Sequence, residues 1–280
     1  MKVRELKKIG IKKLEENNIE DCIYKVDKLL QYILNMSKID LVINEEKNID
    51  SKIENKYFEL INEIIEGKPL QYITNTQEFM KLNFYVNEDV LIPQPDTEIL
   101  VEKTLDVARE DNKLSILDLC TGSGAIAISI KKYKNNAKVY ASDISKKALE
   151  IAKLNAKNND TDIIFIESDM FQNINNKKFD IIVSNPPYIE TKEIENLPKD
   201  VQNEPAIALN GGEDGLKFYK IIRDEAYKYL NKNGKILLEI GYNQKDIVEK
   251  LFSDNKYYKN IESYKDLSNI DRIIKIEKSW

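Results

Sequence analysis

Two short stretches of the chain hold residues whose types and spacing could do chemistry. The first is Ser184-Asn185-Pro186-Pro187-Tyr188, directly after the apolar run Phe179-Asp180-Ile181-Ile182-Val183. The two prolines fix their own φ and push the residues before them to extended backbone, which stiffens the segment. Neither has an N–H to donate, so the carbonyls of Asn185 and Pro186 are offered as acceptors beside the Asn185 side-chain amide. The Asn185 side chain and the Pro186 carbonyl would hold both protons of a planar NH2 group and aim its nitrogen outward. Tyr188 adds an aromatic surface against that flat group, with Pro187 completing the rigid frame. The chemistry this suits is transfer to an amine or amide nitrogen.

The second stretch is Ile116-Leu117-Asp118-Leu119-Cys120-Thr121-Gly122-Ser123-Gly124, ahead of a helical pattern from Ala125 to about Tyr133. A strand, a glycine turn and a helix in that order let backbone approach a ligand closely, because Gly122 and Gly124 have no side chain to clash. The next extended run, Ala137 to Ser142, ends in Asp143, nineteen residues after Gly124. An acidic group at the tip of a second strand suits ribose hydroxyls, which makes the ligand an adenosine-type nucleoside. NAD and S-adenosylmethionine (SAM) are the candidates. The spacing is not G-x-G-x-x-G, and Asp118 repels phosphate while suiting a cationic amino-acid tail, which favours SAM. After a third run, Ile163 to Ile166, Asp169 is placed to accept from the adenine amino group and Met170 to pack on the ring. The alternative for that pair is a helix cap followed by a core methionine.

Composition narrows the classes. The chain has 280 residues, enough for one large domain and a small one, with 43 basic and 48 acidic residues and a formal net charge of −5. That balance argues against a protein living on nucleic acid, though not against a local basic patch. Two cysteines, Cys22 and Cys120, and no histidine argue against a disulfide scaffold, a Cys/His zinc site and a histidine base; no metal is expected. The first residues, MKVRELKKIGIKKLEENN, do not read as a signal peptide, and no later run approaches a membrane span, so a soluble, cytoplasmic protein is expected.

The elements that must position the two stretches follow from periodicity. Residues 1–74 carry helical stripes: Val3, Leu6, Ile9, Leu14; then Ile23, Val26, Leu29, Leu30, Ile33, Leu34; then Tyr57, Leu60, Ile61, Ile64. Ser37 is placed to cap one short helix, and Ser51 with Glu54 forms a capping-box pattern ahead of another, closed by Gly67 and Pro69. These predict a helical bundle, either a structural appendage or a platform for a macromolecular substrate. In residues 75–94, alternation over Phe79–Val86, a turn at Asn87-Glu88-Asp89 and a run at Val90-Leu91-Ile92 predict a β-hairpin linker. Residues 95–280 open with a helix capped by Asp96 and then alternate strand and helix, predicting an α/β domain with a parallel sheet covered on both faces. Two final runs, about Tyr257–Tyr264 and Arg272–Ile276, can pair antiparallel at its edge and complete seven strands. A polar insertion, 189–213, lies where a lid or substrate loop would lie.

With these pieces assembled, the chain resembles the protein-(glutamine) N(5)-methyltransferases of class I peptide-chain release factors, the PrmC or HemK family. The likeness covers nearly the whole length. It rests on Gly67-Lys68-Pro69-Leu70-Gln71-Tyr72-Ile73, Leu91-Ile92-Pro93-Gln94-Pro95-Asp96-Thr97-Glu98, Asp118 to Ile126, Ser184 to Ile189, Glu204-Pro205, Gly211 to Leu216, Leu238-Glu239-Ile240-Gly241 and Asp271-Arg272. Asn-Pro-Pro-Tyr alone is shared by methyltransferases acting on adenine, guanine and glutamine nitrogens. The Pro-x-Pro-x-Thr-Glu segment joined to a helical N-terminal part is much narrower. Gln94 departs from the pattern, since the family usually has Arg there. The resemblance implies a seven-stranded Rossmann-like class I SAM-dependent fold and, as substrate, the glutamine of the release factor's Gly-Gly-Gln loop. It also implies that Asn185 and the Pro186 carbonyl hold the side-chain amide, with Tyr188 beside it. SAM would then lie along Cys120, Thr121, Gly122, Ser123 and Gly124, with Asp143 on its ribose. Two other readings stay open: an amino-methyltransferase acting on a flipped or single-stranded base, which predicts a basic groove, and a module that binds SAM without catalysis.

Overall fold

The computed structural model of the chain describes residues 1–108 and 113–280. In chain order its elements are helices α1 (Val3–Glu16), α2 (Cys22–Leu34), α3 (Lys38–Ile43), α4 (Ser51–Ile65) and α5 (Leu70–Thr74), strands β1 (Gln77–Phe79) and β2 (Leu82–Phe84), then α6 (Pro95–Val107) and β3 (Ser115–Leu119). These are followed by α7 (Ala125–Tyr133), β4 (Lys138–Asp143), α8 (Lys146–Asn158), β5 (Ile164–Glu167), β6 (Phe179–Ser184), and the short helices α9 (Lys199–Gln202) and α10 (Ala206–Leu209). The last are α11 (Lys217–Glu225), β7 (Leu230–Glu239), α12 (Lys245–Ser253), β8 (Tyr258–Lys265) and β9 (Asp271–Lys278). The chain divides into two compact units, Met1–Asn75 with Pro198–Asn203, and Thr76–Leu197 with Glu204–Trp280.

In the first unit the apolar stripes of α1, α2 and α4 close on one core of Leu6, Leu14, Val26, Leu29, Leu30, Tyr57 and Ile61. The hydroxyl of buried Tyr57 donates to the Leu6 carbonyl at 3.0 Å, so this polar atom in the core is satisfied. Ser37 caps α3 as its pattern predicts, with Asp40 reciprocating. The cap of α4 is Asp50 rather than Ser51: its carboxylate accepts from Lys52 N at 2.8 Å, one residue ahead of the expected start.

In the second unit seven strands form one sheet in the order β5-β4-β3-β6-β7-β9-β8, parallel except for β9, which runs antiparallel to both neighbours. Alternate residues of a strand enter different cores. Ile116, Ile181 and Val183 join one with α6 and α7, and Leu117, Ile182 and Leu238 join another with α11 and α12. Burial on both faces is why these strands read as nearly continuous apolar runs. From β3 the chain steps outward to β4 and β5, then returns to place β6 on the other side of β3. The crevice at the carboxyl ends of β3 and β6 is therefore the topological switch point.

The hairpin lies earlier than its sequence pattern suggests. β1 and β2 pair antiparallel around Met80 and Lys81, both left-handed at φ 50° and 58°. A Met-Lys pair carries no glycine or asparagine signal for such a turn. Val90–Ile92 is not a strand: Pro93 has no N–H for a ladder, and the Ile92 N–H donates to Glu204 at 2.8 Å. Asp96 does not cap α6; the cap position is Gln94, Pro95 opens the helix without needing a donor, and Asp96 pairs with Arg272 at 3.1 Å. Helix α11 ends at Glu225, and after a 3-10 turn β7 begins at Leu230.

Buried Asn155 on α8 joins the segment after the hairpin to the glycine loop. Its side chain accepts from Tyr85 N at 2.7 Å and donates to the carbonyls of Tyr85 and Ser123, each at 2.9 Å. Asn155→Ala should cost about 1–3 kcal/mol through these lost and unreplaced partners, read as a lower urea midpoint at unchanged slope. An unchanged midpoint would mean that water replaces all three.

Candidate active site

The site is built where strand ends meet. Parallel pairing sets Leu119 of β3 beside Ser142 of β4 and Ser184 of β6, and Ser184 beside Leu238 of β7. The residues that follow, Cys120, Asp143, Asn185 and Glu239, therefore stand along one edge of the sheet. The hydroxyl of Ser184 donates to the Leu119 carbonyl at 2.7 Å and ties the two central strands where their loops begin.

A cavity of about 200 Å³ opens at this edge. Of the residues singled out in the sequence, Cys120, Gly122, Asp143, Asp169, Met170, Asn185 and Pro187 line it, and so do Pro205, Ile207 and Ala208 from the insertion. The glycine loop and the Asn-Pro-Pro-Tyr loop thus share one space. At Gly122, φ is +53° and a Cβ would meet nothing, so the backbone faces open space in a conformation that favours glycine. Asp143 accepts from Gly122 N at 2.8 Å and Ser145 N at 2.9 Å, which fixes the loop against the strand tip. Burial pushes its carboxyl pKa up against those bonds. Asp169 accepts from the Gln172 amide at 2.9 Å, and Met170, left-handed at φ 47°, lies 3.8 Å from Cys120, sulfur to sulfur. Burial raises the Cys120 thiol well above its usual range, so it is a neutral wall and not a nucleophile.

Other residues take supporting places. Asp118 is fully buried and does not line the cavity. One of its oxygens accepts from Thr121 Oγ at 2.6 Å and from Ala127 N at 3.2 Å, so it braces the loop against the first turn of α7. Its other oxygen is buried with no hydrogen-bond partner among the described residues, while the first serves the adjoining helix N-terminus. Burial raises the Asp118 pKa to about 7. Thr121 and Ser123 are buried, and Gly124 backs onto Ala152, where a Cβ would come within 3.1 Å. Pro186 is buried, and neither it nor Tyr188 is part of the cavity wall.

Behind Asn185 lies a network that the sequence reading did not assemble. Asn185 Nδ2 donates to Thr97 Oγ at 3.2 Å, and Thr97 Oγ donates to Glu239 at 2.6 Å. Burial, aided by the charge of Glu239, the last residue of β7, pushes the Tyr188 phenol well above its usual range. Burial lifts the Glu239 pKa to about 7, opposed by the Thr97 hydrogen bond and by Arg272. The Tyr188 carbonyl accepts from Gln244 Nε2 at 3.0 Å, and Tyr219 donates its hydroxyl to the Glu239 carbonyl at 2.9 Å. Gly211 seats the loop from outside: its N–H donates to the Ile189 carbonyl at 2.8 Å, and a Cβ there would fall 2.7 Å from Tyr188 Cα. The available signal was a single acid ending the apolar run Ile236-Leu237-Leu238, since charge at the end of a buried strand needs partners. The Gln94 side chain bonds within its own turn, donating to the Ile92 carbonyl at 3.0 Å.

Comparison with known proteins follows the same division. Residues 94–212 match the model of the methyltransferase small domain, and residues 5–74 that of the PrmC N-terminal domain. The chain is similar to a release factor glutamine methyltransferase of Clostridium acetobutylicum, 42% identical over 266 residues, covering 93% of each chain. It is also similar to one of Thermodesulfovibrio yellowstonii, 40% identical and covering 94% of this chain and 95% of that one. Among solved structures, a methyltransferase from Pyrococcus furiosus shares the fold at TM-score 0.54 and 20% identity, over 70% of this chain and 88% of that one.

Two outcomes test the site. Gly211→Ala should displace the Asn-Pro-Pro-Tyr loop, because the new Cβ meets backbone that cannot rotate away, and destabilise by about 1–3 kcal/mol, read in urea. Asp118 has a folded pKa raised above its unfolded value, so the native state binds the extra proton. Its contribution to stability is fully present below pH about 4 and is lost as pH rises through about 7. Asp118→Asn should therefore gain stability relative to the parent between pH 4 and 8; a difference flat in pH would show that the group does not titrate as its burial requires.

Proposed function

The chain belongs to the release factor glutamine methyltransferase family, and on that premise we propose that it transfers a methyl group from SAM to the side-chain amide nitrogen of the glutamine in the Gly-Gly-Gln loop of class I release factors. The observation that carries this reading is the single cavity lined by Gly122, Asp143 and Met170 on one side and by Asn185 and Pro187 on the other. No direct nucleic-acid partner is required. Release factors act in the cytoplasm, and no helix among the described residues is long and apolar enough to cross a membrane.

The residues present fit SAM. Gly122 leaves its backbone open to the cavity, Asp143 stands at the tip of the second strand for the ribose, and Asp169 and Met170 form the wall for the adenine. Cys120 adds a neutral surface, and Asp118, Thr121, Ser123 and Gly124 hold the loop in shape from behind. When bound, SAM supplies a methyl group on a sulfonium whose charge is lost on transfer, so walls of low polarity favour the reaction.

An amide nitrogen is a poor nucleophile because its lone pair is delocalised, so the protein's task is placement. Asn185 Oδ1 and the Pro186 carbonyl accept the two N–H bonds of the glutamine amide, and Tyr188 packs beside it. Holding the nitrogen at attack distance with its lone pair turned outward can supply about 7–11 kcal/mol of the barrier. The nitrogen sheds a proton only after it has taken the methyl, so no strong base has to act first, in keeping with a chain without histidine.

Labelled methyl from SAM should pass to a purified class I release factor and not to the same factor with Ala in place of the loop glutamine. Label on RNA or DNA and not on the factor would overturn the assignment of substrate. Asn185→Ala should lower turnover about a hundredfold while SAM affinity stays within a few-fold, the result of losing interactions made to the transferring nitrogen. Equal losses in both would remove Asn185 from the amide grip.

A further inference from the structure

Asn185 can serve the grip in only one of its two amide orientations. With Oδ1 turned to the cavity it accepts from an incoming NH2 group; with Nδ2 turned there it would oppose donor to donor. Nothing in the Asn-Pro-Pro-Tyr sequence chooses between them, because the two ends of the amide have nearly the same shape.

The choice is made by the buried end of the network. Ionised, Glu239 is an acceptor only, so the Thr97 hydroxyl, 2.6 Å away, points its proton at it. The Thr97 oxygen then has only lone pairs left for its other neighbour, and Asn185 must offer it N–H, at 3.2 Å. One acid, Glu239, thus sets the direction of both bonds. Arg272, which pairs with Asp96 at 3.1 Å, lowers the cost of keeping that acid ionised.

We infer that Glu239 and Thr97 are positioning residues that lock the Asn185 amide with its oxygen toward the substrate and so restrict the site to acceptor-seeking NH2 groups. This rests on the function proposed above and specifies its substrate class: a primary amide or amine is held, whereas a carboxylate in its place meets two acceptors and is repelled.

The test compares the full-length parent with Thr97→Val, Thr97→Ser and Glu239→Gln by two readouts. Thr97→Val keeps the shape and removes the acceptor; Glu239→Gln can donate as well as accept, so the direction of the chain is no longer fixed. With release factor and SAM, both should lose about ten- to a hundredfold in kcat, with KM for the factor and the dissociation constant of SAM within about threefold. Thr97→Ser should restore most of the rate. In the 15N spectrum of selectively labelled asparagine, the Asn185 NH2 protons should exchange with water about tenfold faster in Thr97→Val and Glu239→Gln than in the parent and Thr97→Ser. Parent-like kcat in Thr97→Val, or unchanged Asn185 exchange in both variants, overturns the inference. If the parent itself methylates no release factor, the proposed function falls, and the exchange comparison alone still decides the orientation of Asn185.

Discussion

Pairing of β3 with β6 is the constraint on which the rest of the second unit depends. Leu119 opposite Ser184, tied by the Ser184 hydroxyl, brings two loops that begin 65 residues apart in the chain to one crevice. A slip of one residue would turn Ile181 and Val183 from one core to the other and move Asn185 off the edge, so the register is held by every apolar side chain on both faces. The site inherits its precision from that packing. Its loops stay short, and each is pinned by a neighbour: Gly122 by Asp143, Tyr188 by Gln244 and Gly211.

Two buried acids stand directly behind these loops, and the packing that defines the register also raises the cost of ionising them. Asp118 and Glu239 each have their pKa lifted to about 7 by burial, so each makes the folded state less stable when charged. Their neighbours explain why they are tolerated. Asp118 faces the first turn of α7, and Glu239 receives the Thr97 hydroxyl, with Arg272 opposing the rise in its pKa. When ionised, an acid in such a place only accepts, which lets it dictate the direction of bonds several atoms away. Hydroxyl or amide groups of the same size would fill the space without that directionality.

How much of this was legible in the chain depends on the range of the interaction that decides it. Asn185-Pro186-Pro187-Tyr188 and Cys120 to Gly124 were readable because proline and glycine act on their own backbone, and Asp143 because it ends a run with a clear period. Seven strands and an antiparallel edge followed from runs buried on both faces and from the short link before β9. Met80-Lys81 was not readable as a turn, since its left-handed backbone is imposed by the pairing of β1 with β2 and not by residue type. Val90–Ile92 looked extended and apolar but found no partner strand, because its donor goes to Glu204, 112 residues away.

By itself the sequence determined the local chemistry of this protein: two stiff loops, their place after apolar strands, a family, and the absence of any histidine base. Those properties depend on each residue's own φ, hydrogen-bonding groups and periodicity. Tertiary structure alone decided which side chains reach the cavity and which stand behind it. Asp118 was set as a brace between the glycine loop and α7, and Thr97 and Glu239, 142 residues apart, were joined into the network that orients Asn185. The reason is that burial and hydrogen-bond direction belong to neighbours in space, and for these residues the neighbours come from separate strands and helices.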